Sequence, residues 1–250
     1  MPVLRFCLIC LGLVLVWQLL VWVTAVPSFI LPGPGLVLQA FWQKWAVLAH
    51  HAGITLVEIV AGLLLGAFLG AMSAVVMTLS GTLKRWLLPV LVMSQAVPVF
   101  ALAPLLVLWL GYGLSSKIAM AVLIIFFPVT AAFYDGLRST DPEWLELARV
   151  MDAGTWRTLY HIRVPAAMPA FASGLRVAAA VAPIGAVVGE WVGSSSGLGF
   201  YMLHANARMQ TDLMFAALVF LVIMALSLYF FIDWAMRRVV YWQQIDTKGG

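Results

Sequence analysis

Charge is what this sequence has least of. Asp, Glu, Lys and Arg make up 10% of its 250 residues, against 64% hydrophobic residues that include 11 Trp and 14 Phe. A soluble domain carries about a quarter charged residues. Too little polar surface is present to cover a globule in water, so the chain reads as an integral membrane protein. Cysteine is scarce as well. Cys7 and Cys10 stand as CLIC inside the first apolar run, with no second pair to complete a metal or redox site. They read as small apolar side chains. No GxxxxGK[ST], HExxH or GxSxG occurs, so the chain has no ATP-hydrolysing or hydrolase signature of its own. His161 and His204 stand apart from acids at catalytic spacing. No catalytic residue, metal or cofactor is expected in this chain.

What the sequence has is long apolar runs. Six are long enough to cross about 30 Å of hydrocarbon at 1.5 Å per residue. They lie at about 6–26, 54–79, 86–110, 117–137, 171–193 and 213–232. They are continuous and longer than the alternating segments of a barrel, so an all-α membrane fold of about six transmembrane helices is expected. The first run exceeds the apolar core of a secretory signal and is read as an uncleaved span.

Lys and Arg set the expected orientation. With the N-terminus inside, eleven of the 14 fall on inner segments or inner helix ends, and only Lys44, Lys117 and Arg208 fall outside. Both termini are then cytoplasmic. The outer segment 27–53 carries Trp42 and Trp45, suited to a short interfacial helix. His50 and His51 read there as interfacial polar residues rather than metal ligands.

Several features stand out within the spans. Gly62, Gly66 and Gly70 recur every four residues, a small-residue stripe that lets another helix approach, in this chain or in a second copy. Pro89, Pro98 and Pro104 in one run predict a bent or interrupted helix, as a pathway lining or as a packing kink. Glu58, Asp135 and Asp233 lie near span ends, within reach of headgroups or water. Glu190, before WVGSSSGLG, is the sharpest acid. It reads either as a gate or pathway residue or as a structural hydrogen-bonding group.

Between the fourth and fifth runs lies a polar island, ELARVMDAGTWRTLYHIRVPAAMP, residues 146–169. Arg149, Arg157 and Arg163, with Glu146 and Asp152, exclude it from lipid, since one Arg at mid-bilayer costs about 2.5–3.5 kcal/mol. Asp141-Pro142 starts a first helix. Ala153-Gly154 permits a turn. Thr155 is the expected N-cap of a second short helix that Pro165 ends. The result is a cytoplasmic helix–turn–helix, about 138–170. A DNA-reading role does not suit a hairpin tethered between membrane helices.

This island resembles the EAA loop of permease subunits of ABC importers. Glu146, Ala148, Ala153, Ile162, Val164, Pro165 and Pro169 match that pattern. Leu147 and Arg149 depart from it, and Asp152 stands where the family usually has Gly, with Gly154 able to take over the turn. AVPVFALAPLLVLWLGYG, SGLRVA, GEWVG…SGLG and LHANARMQTD are similar to the nitrate/sulfonate/taurine and pyrimidine-precursor branch, over about residues 50–240.

The resemblance implies a permease core at 54–240, preceded by a first helix and outer segment at 1–53 and followed by a cytoplasmic tail at 241–250. It implies a coupling surface of Glu146, Ala148, Asp152, Ala153, Gly154 and Pro165, docked on a cytoplasmic ATPase dimer that holds the ATP and Mg. It also implies an external solute-binding protein, a second permease copy, and a bacterial inner membrane as the setting. Ser94, Gln95, Pro98, Glu190, Gly197 and Gly199 are the expected pathway or gate residues. The pathway carries no Arg or Lys clamp for a strong anion, so a hydroxymethylpyrimidine-like solute is expected, with sulfonate, taurine or nitrate as the alternative. A secondary carrier would call for internal repeats and paired intramembrane charges, and neither is evident in the sequence.

Overall fold

A computed structural model describes residues 2–242, so the expected tail at 241–250 lies, beyond Trp242, outside the described residues. All regular elements among these residues are helical. In chain order they are α1 (Pro2–Thr24), α2 (Pro34–Gln43), α3 (Trp45–Leu79), α4 (Gly81–Ala96), α5 (Val99–Leu110), α6 (Leu114–Arg138), α7 (Pro142–Val150), α8 (Thr155–Thr158), a π-helical turn (Leu159–Arg163), α9 (Val164–Gly193), α10 (Leu198–Ala207) and α11 (Thr211–Val239).

Among the described residues, four helices are long and apolar enough to cross a membrane: α3, α6, the continuous rod Thr155–Gly193, and α11. A fifth span forms if α4 and α5 are one crossing, broken between Ala96 and Val99 and bent by 105°. The break follows from Pro98, which has no N–H to donate and disfavours helix at the residue before it. In α1 the apolar stretch Leu8–Thr24 is shorter than these spans. The interfacial helix of the 27–53 segment is α2, but α3 starts at Trp45, nine residues before the expected edge of the second span.

The centre of the bundle is α6, with α3 on one side and α9 on the other. Lipid offers no hydrophobic drive for helix association, so close backbone packing has to supply it. Both neighbours present glycines to α6. A Cβ on Gly62 would sit 2.4 Å from that of Ala121, one on Gly66 2.8 Å from Ile125, and one on Gly70 3.1 Å from Val129. The partner of the α3 stripe is therefore this chain's own α6. On α9, Gly174 lies over the Pro128 carbonyl, Gly185 over Ala121 and Gly189 over Lys117. Alanines complete the seam, with Ala121, Ala178, Ala179, Ala182 and Ala186 fully buried.

α11 closes the outside of this core. Phe220 meets Phe41 of α2 and Trp45 of α3, at ring separations of 5.6 and 5.3 Å, and Trp17 of α1 stacks on Phe215 at 5.6 Å. Asp233 of α11 accepts from Arg176 of α9 at 2.7 Å and from Arg237 at 2.9 Å. It is therefore paired within the fold, not left to headgroups.

Candidate functional site

Two polar regions stand at opposite ends of the bundle. The α6–α9 connection forms one end. Because α6 runs towards it and α9 away from it, Lys117 and Glu190 lie at the other.

At the loop end, Asp141 caps α7 by accepting from the Glu143 N–H at 2.9 Å, and Pro142 occupies the first helical position. The Ala148 side chain is buried and fixes which face of α7 turns inward. The helix closes with the Ala153 N–H donating to the Ala148 carbonyl at 2.9 Å and the Asp152 N–H to that of Arg149 at 3.0 Å. This paired closure puts one residue in the left-handed region, and that residue is Asp152, at φ 52°. Gly154 does not take over the turn. Its φ is −61°, and it stands as the N-cap of α8, one position before the expected Thr155. Asp tolerates the left-handed region better than most residues, though Gly adopts it freely. The position where the family usually has Gly is thus the position that needs it.

Pro165 does not end the second short helix. The chain continues through the π turn at 159–163 into α9. Proline crowds the carbonyl four residues back. For Pro165 that carbonyl belongs to His161, inside the widened turn. The loop is thus rigidly continuous with a membrane helix. The loop also exposes a large apolar ridge: Trp144, Leu147, Val150, Met151, Trp156 and Tyr160 are 57–84% exposed. Glu146 is exposed among them. A cleft of about 220 Å³ separates the loop from the end of α3, lined by Leu79, Leu145, Arg149, Thr155 and Arg163.

At the far end, Glu190 is 1% exposed and Glu58 and Thr55 are 0% exposed. The Thr55 hydroxyl donates to Glu190 Oε1 at 2.6 Å and accepts from the Leu198 N–H at 2.8 Å. The Gly199 N–H donates to Glu190 Oε2. The Gly197 N–H donates to His51 Nδ1 at 3.1 Å. Glu190, Thr55 and His51 therefore share the free N–H groups at the start of α10, accepting from Gly199, Leu198 and Gly197 in turn, where the helix dipole favours the negative charge of Glu190. A Cβ on Gly197 would stand 2.2 Å from that carboxyl, and its φ of +107° suits glycine.

Glu58 adjoins Glu190 and lies 3.5 Å from Lys117 Nζ, whose side chain is 7% exposed. Glu58 therefore does not reach headgroups or water. It belongs to a buried cluster with Lys117 and Glu190 of the kind the sequence did not reveal. Beyond the spans, burial and then the Asp212 carboxylate push the Tyr201 phenol on α10 above its ordinary range.

Of the expected pathway residues, Glu190, Gly197 and Gly199 come together here. Ser94, Gln95 and Pro98 instead mark the α4–α5 break, where the Ser94 hydroxyl donates to the Leu91 carbonyl at 2.7 Å and Gln95 is exposed. Sequence reasoning missed Thr55, the roles of His51 and Lys117 here, and the helix α10 in which Gly199 stands. The spacing 51, 55, 58 places three polar residues on one helix face and was the available signal.

A glycine-seamed bundle with a polar loop projecting beyond its apolar spans defines a multi-pass membrane protein. Residues 62–241 match the family of inner membrane components of binding-protein-dependent transport systems, and the chain belongs to that family. It is 56% identical over 229 residues to a probable ABC transporter permease of Haemophilus influenzae, covering 92% of this chain and 94% of that one. The formylaminopyrimidine transport permease ThiX of Halalkalibacterium halodurans is 38% identical, with 81% and 79% covered. The riboflavin permease RibX of Chloroflexus aurantiacus is 36% identical (92% and 87% covered). The putative aliphatic sulfonates permease SsuC of Bacillus subtilis is 31% identical (92% and 84% covered). In fold, the chain superposes on the methionine ABC transporter MetNI with a TM-score of 0.69 at 18% identity, over 79% of this chain and 98% of that one. It is an importer permease of the sulfonate, taurine and thiamine-precursor branch, a transport subunit rather than an enzyme.

Proposed function

We propose that this permease is driven by a separate cytoplasmic ATPase docked on the 138–170 loop. The apolar ridge from Trp144 to Tyr160 carries the proposal. Exposed hydrophobics of that size, on a segment too polar for lipid, mark a protein partner. Because the second half of the loop, from Thr155, runs unbroken into α9, a push on it reaches the middle of the bundle, where α9 packs on α6 through Gly174, Gly185 and Gly189. Glu146, Ala148, Asp152, Ala153, Gly154 and Pro165 form the coupling elements. ATP and Mg belong to the partner, and both termini of this chain face the cytoplasm.

A second, identical copy completes the pathway, since a single bundle of this size has little interior for one. Ser94, Gln95 and Pro98 at the α4–α5 break line it, and Glu190 with Gly197 and Gly199 holds the outer gate. An external binding protein delivers the solute.

The solute is a hydroxymethylpyrimidine-like thiamine precursor. Supporting this are the likeness to a formylaminopyrimidine permease and the absence of a free cation in the far-end cluster, where Lys117 is buried beside Glu58 and the Glu190 segment. The likeness to sulfonate and taurine permeases favours the alternative, a small anion. Proteoliposomes holding the complete transporter should take up labelled pyrimidine precursor. Sulfonate uptake without pyrimidine uptake would reverse the substrate assignment and leave the importer intact.

A further inference from the structure

The far-end cluster places two carboxyl groups side by side against one ammonium, all nearly water-free. Thr55 and Glu58 lie three residues apart, on one face of α3. Thr55 bonds Glu190, and Lys117 of α6 packs against Gly189, the neighbour of Glu190. Glu58 is thus enclosed between Lys117 and Glu190. The two acids differ in partners. Glu190 accepts from the Thr55 hydroxyl and the Gly199 N–H, the surroundings of an ionised carboxylate. No donor satisfies either Glu58 oxygen, and the Lys117 ammonium at 3.5 Å is beyond the 2.7–2.9 Å of a tight charged bond. Adjoining carboxylates in such a setting do not both ionise.

We propose that Glu58 holds a buried proton and donates it in a hydrogen bond to the Glu190 carboxylate. The cluster is then neutral: Lys117 positive, Glu58 protonated, Glu190 negative. The proton joins α3 to α9 at the point where Glu190 fixes the start of α10, so it becomes part of what holds the 194–199 turn. The other titratable groups at this site are His51 on α3 and Tyr201 on α10, whose rings lie 5.2 Å apart. His51 accepts from Gly197 through Nδ1, so its own proton sits on Nε2. Glu58 is a positioning residue, acting through Glu190. Loss of its proton at high pH leaves two buried like charges and loosens the turn.

Infrared spectroscopy tests this directly. The chain has four glutamates, and Glu143 and Glu146 are exposed on the loop. Carbon-13 glutamate is placed in this chain alone, and the complete transporter is assembled with unlabelled partners in lipid nanodiscs. At neutral pH the labelled spectrum should show a protonated carboxylic-acid C=O band that fades on alkaline titration and is lost in Glu58→Gln. In wild type, thermal stability should drop over the same alkaline range, and Glu58→Gln, whose amide still donates, should abolish that drop. A neutral-pH spectrum with only carboxylate bands overturns the proposal without any variant. So does a band that survives Glu58→Gln. If that variant does not assemble, the wild-type titration decides alone.

Discussion

Asp152 and Gly197 show how much a single backbone angle settles in this chain. Both stand at positive φ, 52° and 107°. At Asp152 the strain is mild, because a short polar side chain tolerates the left-handed region. Asp152→Gly should leave coupling intact and raise thermal stability slightly, whereas Asp152→Ala should cost about 1 kcal/mol. Thermal unfolding of the two purified variants separates them, and equal midpoints would refute the strain. Gly197→Ala is the harsher change, since its methyl would enter the Glu190 carboxyl. A loss of about 1–3 kcal/mol is expected, with the α10 N-terminus becoming exchangeable in hydrogen–deuterium measurements. Unchanged protection would show that the carboxyl does not hold that turn. At this scale the sequence was only partly legible. Glu190 stood out because it is charged in an apolar run. Its partners Thr55, Glu58 and Lys117 lie more than 70 residues away in the chain, and no local pattern connects them. Lys117 was counted among the outer charges, and charge counting is blind to its burial beside Glu58.

At the scale of elements, glycine spacing was the most readable signal and also the one whose partner stayed hidden. A stripe at 62, 66 and 70 requires close approach but cannot say to what, and the structure answers with α6. Gly62→Ala should therefore destabilise the bundle by about 1–3 kcal/mol through overpacking on Ala121. Gly53, in the same helix with nothing within 4 Å, is the control. Gly53→Ala should be neutral or gain roughly 0.5–1 kcal/mol from helix propensity. If both changes had the same effect, α3–α6 packing would not be the cause. The Pro98 break was legible because proline acts locally. The start of α3 was not, because His50, His51 and Gly53 interrupt the apolar run at the level of composition without interrupting the helix. Nor was the π turn, which absorbs Pro165 and makes α8 and α9 one rod.

For the whole molecule, the all-helical membrane fold was readable from composition and run length, since both report directly on the solvent the chain must face. Orientation rests on the distribution of Lys and Arg. A cysteine at Ser194→Cys should react with an impermeant thiol reagent from outside, and one at Thr155→Cys only in opened membranes. The reverse pattern would invert the topology. Above all, the loop is proposed to transmit force from an ATPase to the bundle. The direct test is Glu146→Arg, reconstituted in proteoliposomes with its ATPase and binding protein, with substrate-stimulated ATP hydrolysis and uptake measured together. Normal membrane insertion is expected, with both uptake and its stimulation of hydrolysis lost. Normal stimulated hydrolysis and normal uptake in that variant would contradict it.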